Sequence, residues 1–169
     1  MGTIYYTGVK PLLLSVLLLA LLFSACNRGS QPRMLGSDAP DFTLTDSDRT
    51  VSLHDLKGKT IVLNFWTSWC GPCIDEMPSL IKLQKIMGQQ VAVLAVSWDV
   101  DDGAYHRFLR DYNVDLLTVR DGRSESKYLY GCTSQPETFI IDASGKIRRK
   151  YIGPRNWVDP EMIQYLKTL

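Results

Sequence analysis

The segment Trp66-Thr67-Ser68-Trp69-Cys70-Gly71-Pro72-Cys73 follows directly on the apolar run Ile61-Val62-Leu63-Asn64-Phe65, so a Cys-x-x-Cys pair falls where a buried strand gives way to a helix. Two thiols at this spacing share one disulfide within a single helical turn. The unsatisfied N–H groups of the helix N-terminus favour thiolate over thiol, which marks Cys70 as the expected attacking sulfur and Cys73 as its partner.

The rival reading of such a pair is half of a zinc site, which needs two further soft ligands. Cys26 and Cys132 stand alone, and the only histidines, His54 and His106, lack His-x-x-x-His spacing. The strand-to-helix context favours redox chemistry, and no metal is expected.

At the N-terminus, Lys10 precedes the apolar run Pro11 to Phe23, followed by Ser24-Ala25 and then Cys26. The run is short for a spanning helix, which needs about 20 residues, and it ends on a small-residue cleavage pattern. Residues 1–25 therefore read as a cleaved export signal, with an uncleaved membrane anchor as the alternative. Residues 26–35 read as a tether, poor in large apolar side chains over Asn27 to Arg33, and 36–169 as the domain. Without residues 1–25, basic and acidic residues balance, which argues against a nucleic-acid partner. The remaining stretch of roughly 140 residues suits one domain with one core.

Along that domain, Ala39 to Leu44 and Thr50 to Leu53 alternate polar and apolar residues around the turn-forming Asp46-Ser47-Asp48-Arg49, which predicts an N-terminal hairpin. Thr60 to Trp66 predicts a central strand covered on both faces. Pro72 to about Met87 predicts a helix burying Ile74, Met77, Leu80, Ile81 and Leu83, with Gly88 ending it. Val91 to Ser97 is a second apolar strand, and Asp101 or Asp102 caps a helix to about Tyr112. A short strand at Leu116 to Val119, a brief helix at Ser124 to Tyr130, strands at Thr138 to Ile141 and Ile147 to Ile152, and a helix at Pro160 to Leu166 complete the pattern. A β-α-β unit followed by a hairpin and a helix is an α/β sandwich.

Several of these stretches carry a family resemblance: Ala39-Pro40-Asp41-Phe42, Leu56-Lys57-Gly58-Lys59, Asn64 to Cys73, Glu76-Met77-Pro78 and Pro136 to Asp142. Over about residues 36–167 the chain resembles the exported thioredoxin-like proteins of the TlpA, ResA and CcmG (DsbE) type. The resemblance implies a thioredoxin-like three-layer α/β sandwich with an N-terminal β-hairpin extension. It also implies reduction of protein disulfides outside the cytoplasm, often in apocytochrome c before haem attachment. The partners it implies are a disulfide-containing polypeptide and a membrane-embedded electron donor, with no cofactor. Cys26, placed after Leu22-Phe23-Ser24-Ala25, resembles the lipidated cysteine of bacterial lipoproteins, with Phe23 where that signal usually has Leu. A lipid anchor at Cys26 would hold the domain to a membrane on the periplasmic or outer side.

Carried over residue by residue, the resemblance makes Glu76 the group that tunes the cysteine pair; three positions beyond Cys73, one helical turn brings it to the thiol's face. It makes Pro136 a cis-proline packed against the cysteines, with the backbone of Gln135 free to pair with a bound polypeptide. Trp69, beside Cys70, helps to shape that binding surface. Two positions depart from the pattern: Asn64 stands where cytosolic thioredoxins carry a buried aspartate, and Cys132 where a small apolar residue is usual. Asn64 has no proton to exchange near neutral pH, so the proton burden moves to Glu76. Cys132 reads as a buried structural cysteine.

Two other activities are compatible with parts of the chain. A peroxiredoxin-like antioxidant shares the Ala39-Pro40-Asp41-Phe42 opening but needs Pro-x-x-x-Thr-x-x-Cys, which Leu63 to Trp69 does not supply. A copper-binding chaperone or scaffold would use the two thiolates as soft ligands, yet of five methionines only Met77 neighbours them.

Overall fold

A computed structural model describes residues 34–169. The stretches expected to be an export signal (1–25), a lipidation site (Cys26) and a tether (up to Arg33) lie outside the described residues. The chain forms, in order, β1 (Thr43–Thr45), β2 (Thr50–Ser52), β3 (Thr60–Trp66), α1 (Gly71–Met87), β4 (Val91–Ser97), α2 (Asp102–Asp111), β5 (Leu117–Arg120), α3 (Glu125–Leu129), β6 (Glu137–Ile141), β7 (Ile147–Ile152) and α4 (Pro160–Leu166). β1 and β2 make a separate antiparallel hairpin, and the other strands form one sheet in the order β5-β4-β3-β6-β7.

β3 sits at the centre because every one of its residues is buried. It pairs in parallel with β4 and antiparallel with β6, so both of its edges are satisfied. The period-2 alternation of a strand then sorts its side chains. Val62 and Trp66 join the core built with Met77, Leu80 and Leu83 of α1, Tyr105 and Phe108 of α2, and Met162 and Leu166 of α4. Ile61, Leu63 and Phe65 point the other way, into a core with Leu44 and Val51 of the hairpin, Trp98, Tyr130 and Phe139. Phe65 stacks on Trp98 at 5.0 Å between ring centroids and meets Tyr130 at 5.3 Å, contacts that fix this face beyond simple burial. The hairpin is thus a lid on the sheet face that α1 does not cover. Asn64 shares the parity of Val62 and Trp66 and faces α1.

α1 starts at Gly71 with Pro72 in its first turn and stops at Gly88, whose positive φ of 56° is a conformation glycine adopts at little cost. Pro78 lies inside this helix and removes the hydrogen bond to the Ile74 carbonyl. The buried stripe of α1 is Cys73, Glu76, Met77, Leu80, Leu83 and Met87; Ile74 and Ile81, expected in it, are only half-buried at its margin.

The hairpin is shorter than its sequence pattern suggests. Ala39 to Phe42 is not strand, because Pro40 offers no donor and the preceding residues are drawn elsewhere. Ala39 N–H donates to the Gly145 carbonyl at 2.8 Å and Gly36 N–H to Ile147 at 2.8 Å, stitching this segment to the β6–β7 turn. Leu53 turns into a short 3-10 helix, Leu53–Leu56, instead of extending β2. β5 begins and ends one residue later than expected, in register with β4 from Leu94 opposite Leu117 to Ser97 opposite Arg120.

Asp142 organises the β6–β7 turn. Its Oδ1 accepts from Ser144 N, Ser144 Oγ and Lys146 N at 2.9, 2.6 and 3.0 Å, while Arg148 Nε donates to Oδ2. Burial works against ionisation here, yet these donors hold the carboxyl down at about 2. A folded pKa below the unfolded value of about 3.9 gives stability present above about pH 4 and lost as pH falls through about 2. Asp142→Asn should therefore lower the urea midpoint at pH 7, and the gap to wild type should close as the pH is taken towards 2.

Candidate active site

Cys70 is the N-cap of α1, with extended φ and ψ of −86° and 105°, and its sulfur accepts the Cys73 N–H at 3.3 Å. The two cysteines form a disulfide. Cys73 is fully buried in the α1 core whereas Cys70 keeps 7% exposure and lines an open groove that Cys73 does not reach. Trp69, 73% exposed, stands beside it.

Two loops flank this pair, each held by a buried acid, and a third buried acid lies on α1 itself. The loop leaving β3 is held by Asp99: Ser68 N–H donates to Oδ2 at 2.9 Å, Ser68 Oγ to Oδ1 at 2.8 Å, and Ser97 Oγ to Oδ2 at 2.7 Å. The loop entering β6 contains a cis Gln135–Pro136 peptide bond and is held by Glu137. Glu137 Oε1 accepts from Thr133 N at 2.8 Å and Ser134 N at 2.9 Å, and Oε2 lies 2.7 Å from Lys150 Nζ, an ion pair that is not an aligned hydrogen bond. Burial opposes the charge on Glu137, but Lys150 and the two amides keep its carboxyl below the usual range. Thr67 Oγ1 donates to Gln135 Oε1 at 3.1 Å, tying the first loop to the second.

The third acid is Glu76, 3% exposed on the inward face of α1. Its Oε1 accepts from Asn64 Nδ2 at 2.7 Å; its Oε2 accepts from Trp157 Nε1 and Arg155 N, each at 3.1 Å. The same Asn64 amide donates to Thr138 Oγ1 at 2.9 Å, while Asn64 Oδ1 is buried without a partner. Burial raises the Glu76 carboxyl above its ordinary value, and the three donors only partly offset it. A carboxyl tuned towards neutral pH is the better proton carrier.

Cys132 is a free, buried cysteine near the cis-proline loop. Burial and the neighbouring Glu137 push its thiol far above the ordinary cysteine range. Such a thiol holds its proton, in keeping with a structural place for Cys132.

Of the residues the sequence brings to attention, Cys70 and Cys73 form the disulfide, Trp69 and Gln135 line the groove beside Cys70, Glu76 shares the buried stripe of α1 with Cys73, and Pro136 follows Gln135 through the cis bond. The structure adds Asp99, Glu137 and Trp157, whose partners are 31, 3 or 4, and 81 residues away along the chain. Asp99 and Glu137 had one signal to offer: each is an acid at the end of an otherwise apolar strand sequence, where an unpaired charge is costly.

Fold and site together define a thiol-disulfide oxidoreductase with the thioredoxin fold. The chain belongs to the AhpC/TSA family, whose profile matches residues 35–150. It is 35% identical over 150 residues to the thiol-disulfide oxidoreductase ResA of Bacillus subtilis, covering 86% of this chain and 84% of that one. Among solved structures it is similar to a Chlorobium tepidum protein assigned as a thiol:disulfide interchange protein DsbE, with a TM-score of 0.70, 31% identity, and coverage of 79% of this chain and 93% of that one. It is also similar to the exposed lipoprotein thioredoxin Etrx1 of Streptococcus pneumoniae, with a TM-score of 0.67, 28% identity, and coverage of 77% and 100%.

Replacing Trp157 by Phe keeps the buried ring and deletes one donor to Glu76. The expected results are a loss of about 2 kcal/mol in unfolding free energy and a further alkaline shift of the Glu76 midpoint, read by carboxyl 13C NMR.

Proposed function

We propose that this protein is a lipid-anchored, extracytoplasmic reductase of polypeptide disulfides, with apocytochrome c before haem attachment as its client class. The single observation that carries the mechanism is the place of Cys70: it lines an open groove, caps α1 and accepts a backbone N–H on its sulfur. In the reduced enzyme the same N–H and the helix N-terminus stabilise the Cys70 thiolate. The thiolate attacks one sulfur of the client disulfide, and the other client sulfur leaves as a thiolate that takes a proton from water.

The mixed disulfide then has to be resolved by a sulfur with no access to solvent. Glu76, on the same face of α1 as Cys73, accepts the Cys73 proton; the Cys73 thiolate attacks Cys70 Sγ, and the second client thiol departs. Asn64 supports both protonation states of Glu76. Its NH2 group donates to the carboxylate, and rotation of the amide offers the unpartnered Oδ1 to a protonated acid. Trp69, Gln135 and Pro136 form the surface on which the client segment lies. Two electrons and two protons from a membrane-embedded donor restore the dithiol.

The outward location rests on the export signal at residues 1–25 and Cys26, and on the exposed, lipoprotein character stated for the pneumococcal relative. Cys26→Ala should shift the protein from the membrane to the soluble fraction and abolish labelling by a fatty-acid probe.

Cys73→Ser should accumulate covalent adducts with client proteins on non-reducing gels, and Cys70→Ser should accumulate none; trapping by the Cys70 variant alone would reverse the assigned roles. Glu76→Gln should slow resolution by about a hundredfold at neutral pH, leave the first attack unchanged, and remove the Glu76 step from the pH profile.

A further inference from the structure

An open groove of about 590 Å³ runs along the exposed side of the disulfide, between Trp69 and Cys70 on one wall and Ser134 and Gln135 on the other. Its floor includes Trp98, and a single charged side chain lines it, Lys127 of α3. Lys127 is held where it stands. Its Nζ lies 5.7 Å from the Trp98 ring centroid. Trp98 is itself fixed by stacking on Phe65 and by donating from Nε1 to Ser126 Oγ at 2.9 Å. Asp121 Oδ2 in turn accepts from Ser126 N at 2.8 Å and Ser126 Oγ at 2.6 Å, which anchors α3.

Among the described residues, no carboxylate pairs with Lys127. Glu125, its neighbour on α3, pairs with Arg123 at 3.0 Å, and the buried Glu137 is neutralised by Lys150. A half-buried ammonium ion resting on an aromatic ring, beside a reactive disulfide and without an anion, leaves positive potential in the groove.

We propose that Lys127 sets client preference: the groove takes an extended polypeptide segment that carries an aspartate or glutamate within a few residues of the attacked cysteine, and that carboxylate pairs with Lys127. This rests on the reductase reading given above and narrows its substrate class. An extended chain advances about 3.3 Å per residue, so an acidic side chain a short way from the cysteine is in reach of α3 while the backbone runs along Gln135. A basic residue at the same place would meet Lys127 as a like charge and bind less well.

The test uses three fluorogenic disulfide peptides identical except for Glu, Gln or Lys two residues from the attacked cysteine, with kcat/KM measured at low salt. Wild type should favour Glu over Lys by about fivefold or more, and about 0.5 M salt should collapse that preference. Lys127→Gln should erase the ranking and Lys127→Glu should invert it. Each ranking is internal to one variant, so a general loss of activity does not affect it. A wild-type enzyme that reduces all three peptides equally, or a Lys127→Glu variant that keeps the wild-type ranking, overturns the proposal and leaves the reductase reading standing. Failure of wild type to reduce any of the three would overturn the reductase reading itself.

Discussion

A carboxylate buried inside a protein is tolerated only where donors converge on it, and Glu76 imposes that condition on the whole neighbourhood of the disulfide. Its three donors come from β3, from the backbone of the segment after β7, and from an indole 81 residues further along the chain. Parity along β3 is what delivers the first of them. Asn64 faces α1 because Val62 and Trp66 do, and a shift of the strand by one residue would turn the amide to the hairpin side. Sheet register, helix phase and the last loop of the fold therefore meet at one side chain.

The same device recurs twice more around the site. Asp99 secures the loop that presents Trp69 and Cys70, and Glu137 secures the loop that presents Gln135 and Pro136. Each acid is nearly or fully inaccessible, and each takes its hydrogen bonds from backbone N–H groups together with short side chains. Loops with few apolar contacts of their own gain rigidity from such anchors, since breaking one leaves a buried acceptor unsatisfied. The loop before Cys70, the cis-proline loop and the Glu76 carboxyl are thus held in place by polar groups set into an apolar frame.

How much of this the sequence reveals follows from the range of the interaction. β3, α1 and the cysteine pair are legible because apolar runs, helical spacing and the Gly88 stop all act between near neighbours. The cis-proline and Glu76 are legible by their place within a family motif. Trp157 is not, since it acts through a carboxylate across the fold, and Asp99 shows in the sequence only as an acid beyond an apolar strand, not as the anchor of a serine on another loop. Local pattern also overreaches at Ala39 to Phe42, where alternation suggests strand but hydrogen bonds to the β6–β7 turn take the backbone away. Ile74 and Ile81 show the same limit, because helical periodicity names a face without saying how far the neighbouring elements extend over it.

Cys132 lies three residues before the cis peptide bond and next to Thr133, Ser134 and Gln135, which line the groove at Cys70. A third sulfur in that place would ordinarily invite scrambling, with the mixed disulfide migrating to a dead-end pairing. Its apolar surroundings and the adjacent Glu137 keep it in the unreactive thiol form, which insulates the two-sulfur circuit from its own scaffold. The buried carboxylate of Glu137 thereby holds the Thr133–Ser134 loop and also helps to keep Cys132 out of exchange, with Lys150 acting on that thiol in the opposite sense.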